Sequence, residues 1–450
     1  MEQFSSSQTE YCYMKEEKPY HYFAATTAYD LIRPKEMKIL AGCTPVYIWA
    51  LIRHGTRFTK KKFSYKAKEI TIIKNQIIEN HEAKKGKLCD EDLDSLKKWT
   101  YKWDENMDGE LAPQGKKDIA SLAKRLKQYF NQLMPNDKNK YVGKFRTSST
   151  PRCKDSALAF TNEIFGTQYS MLDANNIVEN DTLLKFENHD SSKVHVESMK
   201  FIMSQYAQTL TSEVSKRLGF ENTLALEVIK QLYAMCSYEI AWNPENKASF
   251  CAAFTPDHLK VQLLIRLLEY DADLEYYYLD GYGDPKNAQA ASVLVNDLLK
   301  KLNDASKKEP SQVATVYFGH SETILPFITK LNVYSETEPL QSNNYESKKN
   351  DRKWRTSIID PFAANIIAVL YKCGEEHKVV FYNNENIIQL PNCEGEACLL
   401  KTLNGKFKDE FQEDAPSSSA SMVQTEQLKD ERERYKEERE RNNEVKEPKK

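Results

Sequence analysis

The sequence predicts an α/β protein: a mixed, mostly parallel sheet flanked by helices, with an all-helical insertion dividing it. Three observations predict this. Val46 to Ile52 is a short apolar run, rich in β-branched and aromatic residues and preceded by Thr44-Pro45, as in a strand buried on both faces. A second such run, Ala314 to Phe318, comes much later. Between them, roughly 165 to 290, segments have helical spacing and no convincing strand.

At 450 residues the chain can bury a large core, and its formal charge of -2 excludes a global attraction to nucleic acid. Any basic site must therefore be local. No run of about 18 apolar residues is present, so no transmembrane helix is expected. Met1-Glu2-Gln3-Phe4 and the serines after it contain no cationic and apolar leader pattern, so no signal peptide is expected in this sequence.

Taken in order, residues 1–40 are polar and tyrosine-rich, as in an extended N-terminal arm lying over the body. The first strand stops in Arg53-His54-Gly55-Thr56-Arg57. Lys60-Lys61-Lys62 follows, then helix-like sequence from about 65 to 102. Asp108 to Gly115 reads as a loop, and Ile119, Leu122, Ala123, Leu126 and Phe130 form the apolar stripe of a helix. Lys144 to Ser149 reads as a strand ending in Ser-Ser-Thr-Pro-Arg152, with a helix after it.

The α/β core therefore comprises 41–164 and 291–411, with the helical cap at 165–290 inserted between them. The second half opens with a helix at 291–302, and the strand to Phe318 stops in Gly319-His320-Ser321-Glu322. Residues 335–353 read as a surface loop. Ala363 to Tyr371 and Val379 to Tyr382 read as strands, the second pairing with Ile387 to Leu390 across Asn383-Asn384-Glu385-Asn386. The tail, 412–450, alternates acids and bases with almost no apolar residue, as in a disordered segment or a single solvated helix.

Nine cysteines occur, none in CxxC, and the histidines are too scattered for a zinc site, so no metal is expected. The number is odd, and reduced buried thiols are one reading. A bridge would suit Cys393 with Cys398, and another would suit Cys236 with Cys251 across Trp242-Asn243-Pro244.

Three strand-end clusters carry the chemistry. On a parallel sheet they share the carboxyl edge, where α/β sheets bind ligands. Together they bring Arg53, Arg57 and Arg152, His54 and His320, and Glu322. Guanidiniums recognise phosphate oxygens bidentately. An imidazole among arginines stays neutral and can attack phosphorus, and a protonated carboxyl can donate to the departing alkoxide.

RHGTR after an apolar strand, Arg152 in an SSxxR context and a late GHxE strand end resemble the histidine acid phosphatases, most closely the multiple inositol polyphosphate phosphatase branch. Met107-Asp108-Gly109-Glu110-Leu111, Leu184-Lys185-Phe186 and Pro361-Phe362-Ala363-Ala364-Asn365 match as well, and the resemblance spans about residues 18 to 402. It implies a phosphoglycerate-mutase-like core with a helical cap. It makes His54 the nucleophile and Glu322 the proton donor, with Arg53, Arg57, Arg152 and His320 holding the phosphate. Lys60, Lys61 and Lys62 become candidate contacts to further phosphates.

The resemblance implies a metal-independent, cofactor-free phosphomonoesterase acting on inositol hexakisphosphate and lower inositol polyphosphates, and on 2,3-bisphosphoglycerate. A general acid phosphatase and an inactive phosphate-binding scaffold are the alternatives. The partner is a small phosphorylated substrate; no partner protein is inferred. The disulfides implied are Cys43–Cys373, Cys236–Cys251 and Cys393–Cys398, leaving Cys12, Cys89 and Cys153 free or unassigned, and they point to the secretory pathway. Two departures stand out. Phe58-Thr59 replaces the end of the family's RHGxRxP, putting the stiffness of that loop in question, and Ser321 replaces an alanine.

Overall fold

The computed structural model describes residues 20–101, 105–134, 143–166, 177–186, 196–245, 249–254, 264–307 and 313–408. The first 19 residues, Cys12 among them, and the charged tail from 412 to 450 lie outside the described residues.

One sheet organises the chain. Its strands are β1 (Thr44–Arg53), β2 (Gly143–Thr147), β3 (Ile177–Glu179), β4 (Ala314–Gly319), β5 (Asn365–Cys373), β6 (Glu376–Asn383), β7 (Asn386–Ile388) and β8 (Cys398–Leu399). They lie in the order β3-β2-β4-β1-β5-β6-β7, with β8 beside β6. From β3 to β1 all pairings are parallel; from β1 onward all are antiparallel. The sheet is mixed as expected, but its antiparallel share is larger than the sequence suggested. Two of the antiparallel pairings, β5 with β6 and β6 with β7, follow from short connections, because a tight turn can join only antiparallel strands. Gly374 serves between β5 and β6, and Asn384-Glu385 between β6 and β7, all with positive φ.

The helices used below are α1 (Lys61–Glu82), α2 (Asp90–Lys98), α3 (Pro113–Tyr129), α4 (Pro151–Phe165), α5 (Val196–Ile202), α6 (Gln205–Arg217), α7 (Leu226–Trp242), α8 (Leu264–Leu279), α9 (Ser292–Ala305) and α10 (Ser321–Leu331). The stretch read as one helical region after Lys62 is broken into α1 and α2. β1 is central and its last seven residues are buried, which is why it reads as a continuous apolar run. Ile48, Ala50 and Ile52 pack with Ile119, Leu122 and Leu126 of α3 and Phe160 of α4. Trp49 points to the other face, where its indole N–H donates to Asp297 of α9 (2.9 Å) and its ring stacks on Phe327 of α10 (5.1 Å).

Three sequence expectations need correction. The 165–290 stretch is not all-helical, because β3 pairs in parallel with β2. A three-residue edge strand gives too little period for sequence reading to detect. The 335–353 segment is not simply a surface loop: Leu340, Tyr345 and Arg352 are buried, and Arg352 is paired with Glu269 (2.6 Å) and Asp273 (2.8 Å) of α8. The described N-terminal arm is core as far as Tyr29, with Tyr22, Phe23, Ala24, Ala25, Ala28 and Tyr29 buried, and lies at the surface from Asp30 to Leu40 apart from Met37.

Disulfides join Cys43–Cys373, Cys236–Cys251 and Cys393–Cys398. Cys89 is also disulfide-bonded, whereas Cys153 is a buried free thiol.

Candidate active site

Parallel register brings the three clusters level. Arg53 at the end of β1 stands opposite Gly319 of β4, and Thr147 at the end of β2 stands opposite Phe318. His54, Ser148 and His320 therefore leave the sheet side by side. The backbone continues the ladder one step further, with His54 N–H donating to Gly319 O (3.0 Å) and Ser148 N–H to Phe318 O (3.0 Å).

The RHGTR loop is held by close backbone contact with the start of α3. A Cβ on Gly55 would fall 2.2 Å from Gly115 O, and one on Gly115 would fall 2.1 Å from Thr56 O. Only glycine fits at either place. The buried Asp118 carboxylate accepts from Thr56 N–H (3.2 Å) and Thr56 Oγ1 (2.7 Å). Burial pushes that carboxyl up to about 6, against the bonds from Thr56 and Gln114.

Stiffness after Arg57 does not depend on proline. Phe58 N–H donates to Glu110 O (2.9 Å), Gly109 N–H to Thr59 O (3.2 Å) and Ala112 N–H to Thr56 O (2.9 Å). Thr59 is fully buried and its hydroxyl bonds to Tyr101 (2.8 Å). The cap contributes through α7: Trp242 donates to Arg57 O (3.1 Å), and the Arg57 guanidinium lies 5.7 Å from the Tyr238 ring centroid.

His54 is buried, and its Nδ1 lies 2.9 Å from Gly55 O. A carbonyl can only accept, so Nδ1 carries the proton and Nε2 keeps its lone pair. Burial, then Arg53, Arg152, His320 and Arg57, hold the ring's pKa well below the ordinary histidine value. The ring is neutral, with its lone pair at Nε2.

His320 is the complement. Arg152 Nη2 lies 3.2 Å from its Nδ1 and can only donate, so His320 Nε2 carries the proton, facing Ser148 Oγ (3.0 Å) and Thr150 Oγ1 (3.2 Å). Burial brings its pKa down to about 4; Glu322 opposes this, while Arg152, Arg53 and Lys185 reinforce it. The two imidazole centroids are 5.5 Å apart. Both nitrogens of His320 are occupied by protein groups, so it touches a phosphate only by exchanging one of these partners.

Arg53 donates through Nη1 to three carbonyls, Ala25 (2.6 Å), Asp360 (2.7 Å) and Pro361 (2.9 Å). Its Nε and that of Arg152 are buried with no hydrogen-bond partner among the described residues. Unpaired buried guanidinium N–H groups are costly, and an anion relieves the cost. Arg152 stands in the first turn of α4, whose positive dipole end adds to the attraction.

Glu322 is solvent-accessible on the first turn of α10. Burial would raise its pKa, but His320, its own backbone N–H, Arg53 and Arg152 outweigh that and hold the carboxyl below its ordinary value. Lys60 belongs to the site rim: burial, then Arg57 and Arg152, lower its ammonium. Lys61 is exposed, with its backbone N–H bound to Asp108 (2.7 Å). The Lys62 side chain lies outside the described residues.

Sequence reading missed several neighbours. Ser148 and Thr150 orient His320. Asp360 and Asp280 are buried acids near Glu322: Asp360 is pushed up to about 7 by burial, against Arg53 and Ser321, and Asp280 is raised well above its ordinary value by burial, Glu322, Asp360 and Glu275. The only signal was that Asp360 adjoins the matched Pro361-Phe362. Lys185, in the matched Leu184-Lys185-Phe186, is tied to Ser149 (2.6 Å) and Asp181 (3.0 Å) and adds a cation near His320.

The family model for the histidine phosphatase superfamily (branch 2) matches residues 47–386. The chain belongs to that superfamily branch. This branch-2 histidine phosphatase is 34% identical over 426 residues to a Drosophila melanogaster protein named multiple inositol polyphosphate phosphatase 1, covering 89% of this chain and 88% of that one. The Homo sapiens protein of the same name is 28% identical, with 91% of each covered. In fold, the phosphatase resembles the D. castellii phytase (TM-score 0.68, 17% identity, 87% of this chain and 85% of that one). It also resembles the Bifidobacterium longum multiple inositol polyphosphate phosphatase, solved in complex with inositol hexasulfate (TM-score 0.63, 15% identity, 87% and 98% covered). The resemblance drawn from RHGTR and GHSE is borne out at the level of family and fold.

Proposed function

We propose that this phosphatase hydrolyses phosphate monoesters of inositol polyphosphates, inositol hexakisphosphate included, in two steps through phospho-His54. The observation that carries the reading is the neutral His54, with Nε2 unprotonated, beside guanidiniums that have unpaired N–H groups. The names of the two similar proteins support the substrate class.

Arg53, Arg57 and Arg152 bind the equatorial oxygens of the phosphoryl group, neutralising charge and aligning phosphorus with His54. Nε2 attacks, the phosphorus–ester oxygen bond breaks, and Glu322 gives its proton to the leaving alkoxide. Water then attacks phosphorus and passes a proton to the Glu322 carboxylate, the phosphorus–nitrogen bond breaks, and phosphate leaves. Both nitrogens of His320 are engaged by Arg152, Ser148 and Thr150, so it also acts by holding Arg152.

The donor role requires a protonated Glu322, yet the cations around it favour the carboxylate. Substrate resolves this. A phosphate dianion neutralises the arginines and places negative charge beside Glu322, which raises its pKa. Protonation is thus coupled to binding of an anionic substrate. Lys60 and Lys61 at the rim are proposed contacts for neighbouring phosphates. The same chemistry extends to 2,3-bisphosphoglycerate. The disulfides favour an oxidising compartment of the secretory pathway.

Phosphate release from inositol hexakisphosphate in EDTA is the test. The expected result is steady release with a far higher kcat/KM than for a simple monophosphate ester. Tight binding without release would leave a scaffold, equal use of any monoester would leave a general acid phosphatase, and abolition by EDTA would remove the metal-free mechanism.

A further inference from the structure

We infer that the buried turn Asn384-Glu385, on the antiparallel side of the sheet, is a positioning element for Arg53. The inference rests on the reading of Arg53 as a phosphate ligand. The Nη1 of Arg53 is held by carbonyls from two segments, Ala25 in one and Asp360 and Pro361 in the other. Both segments are fastened to this turn. Tyr29 donates its hydroxyl to Glu385 Oε1 (2.7 Å), tying down the segment that carries Ala25. Asn384 Nδ2 donates to Ile358 O (2.7 Å), tying down the segment that carries Asp360 and Pro361. Asn383 adds a bond to Ile359 O (3.1 Å), and Phe362 N–H bridges the two segments by donating to Thr27 O (3.1 Å).

The turn is itself anchored. Arg125 of α3 grips Glu385 with two bonds of 2.7 Å. Asn365 at the start of β5 exchanges bonds with Asn384, N–H to Oδ1 (2.9 Å) one way and Asn384 N–H to Asn365 O (2.9 Å) the other. Its side chain also donates to Tyr29 (2.8 Å).

The choice of residue argues for purpose. Asn384 and Glu385 both have positive φ, 49° and 66°. A two-residue hairpin of that kind prefers glycine at its second position, and a non-glycine residue there is strained. Glutamate stands there nonetheless, 2% exposed, with its carboxylate engaged by Tyr29 and Arg125. With Nη1 pinned, the orientation of the planar guanidinium is set, and the direction of its unpaired Nε–H follows.

The test is a double-mutant cycle read by the inhibition constant of inorganic phosphate, by KM and kcat for inositol hexakisphosphate, and by thermal midpoint. Asn384→Gly keeps the turn's conformation and deletes its side-chain bonds. It should raise the phosphate inhibition constant and KM about tenfold while changing kcat less than about threefold. Tyr29→Phe, a milder cut, should move both constants the same way by a smaller factor. On an Arg53→Lys background Asn384→Gly should add nothing. Tyr382→Phe, in the same hairpin, which loses a bond to Lys38 O of the N-terminal segment, should lower the midpoint without moving the inhibition constant. A lowered midpoint with unchanged constants in Asn384→Gly and Tyr29→Phe, or full additivity with a damaging Arg53→Lys, would overturn the positioning role alone. An Arg53→Lys variant with normal phosphate inhibition would overturn Arg53 as a ligand as well.

Discussion

The two halves of the sheet use polar residues in opposite ways. The parallel half, β2-β4-β1, ends in charged groups that are left incomplete: unpaired Nε–H groups on Arg53 and Arg152, and an accessible Glu322 held ionised by its neighbours. The antiparallel half buries a comparable set of amides and acids, Asn383, Asn384 and Glu385, and engages each in hydrogen bonds. Glutamate thus stands accessible on one side and locked into the scaffold on the other. Saturation makes the difference: a buried polar group that is fully bonded rigidifies, and one left short is poised for a ligand.

The largest expected effect breaks the reactive side. His54→Ala should lose turnover at least a thousandfold while retaining phosphate binding, because the arginines remain. Near-normal turnover, by steady-state phosphate release, would remove His54 from its role. Glu322→Gln should lower kcat about 10²–10⁴-fold on an inositol phosphate and much less on an ester with a good leaving group, where phosphoenzyme should accumulate. In the native protein the alkaline limb of kcat should lie above that of kcat/KM, since bound phosphate raises the Glu322 pKa. Coincident limbs would contradict that coupling.

The next effect concerns the seam between the halves. Cys43–Cys373 closes a sequence separation of 330, against 15 for Cys236–Cys251 and 5 for Cys393–Cys398. Loop-closure entropy makes it the most stabilising of these three, about 6 kcal/mol. Serine at both positions should lower the denaturation free energy by roughly that amount and leave turnover per folded molecule unchanged. A loss smaller than that of the Cys393–Cys398 bridge would refute the ordering.

The smallest effect sharpens the comparison where the halves meet. Asp360 is raised to about 7 in the folded protein, so its stabilising contribution is present below its ordinary pKa of 3.8 and is lost as pH rises through 7. Asp360→Asn should make the decline in thermal midpoint between pH 4 and 7 shallower. An unchanged slope would mean that Asp360 does not titrate there.

Much of the site was legible because its signals are local. An apolar run that stops in RHGTR, SSTPR or GHSE announces both a strand and what waits at its end. β3 was not legible, because three residues carry no period, and Thr59 was judged by the proline it replaces rather than by Tyr101 and Glu110, which hold its loop. Asp280 and Asp360 left no trace either: an acid becomes unusual only once burial and neighbours are known.

By itself, then, the sequence determined the central strands, the reactive residue types and the family. Residue type and short-range spacing are written along the chain. Only the tertiary structure decided that Arg53 stands level with Gly319, that His54 bares Nε2 while His320 protonates its own, and that His320, Arg53 and Arg152 hold the Glu322 carboxyl below its ordinary value. Those depend on contacts across hundreds of residues, such as Arg53 with Asp360 and Pro361 at separations of 307 and 308, and on a field summed over groups that no local pattern brings together.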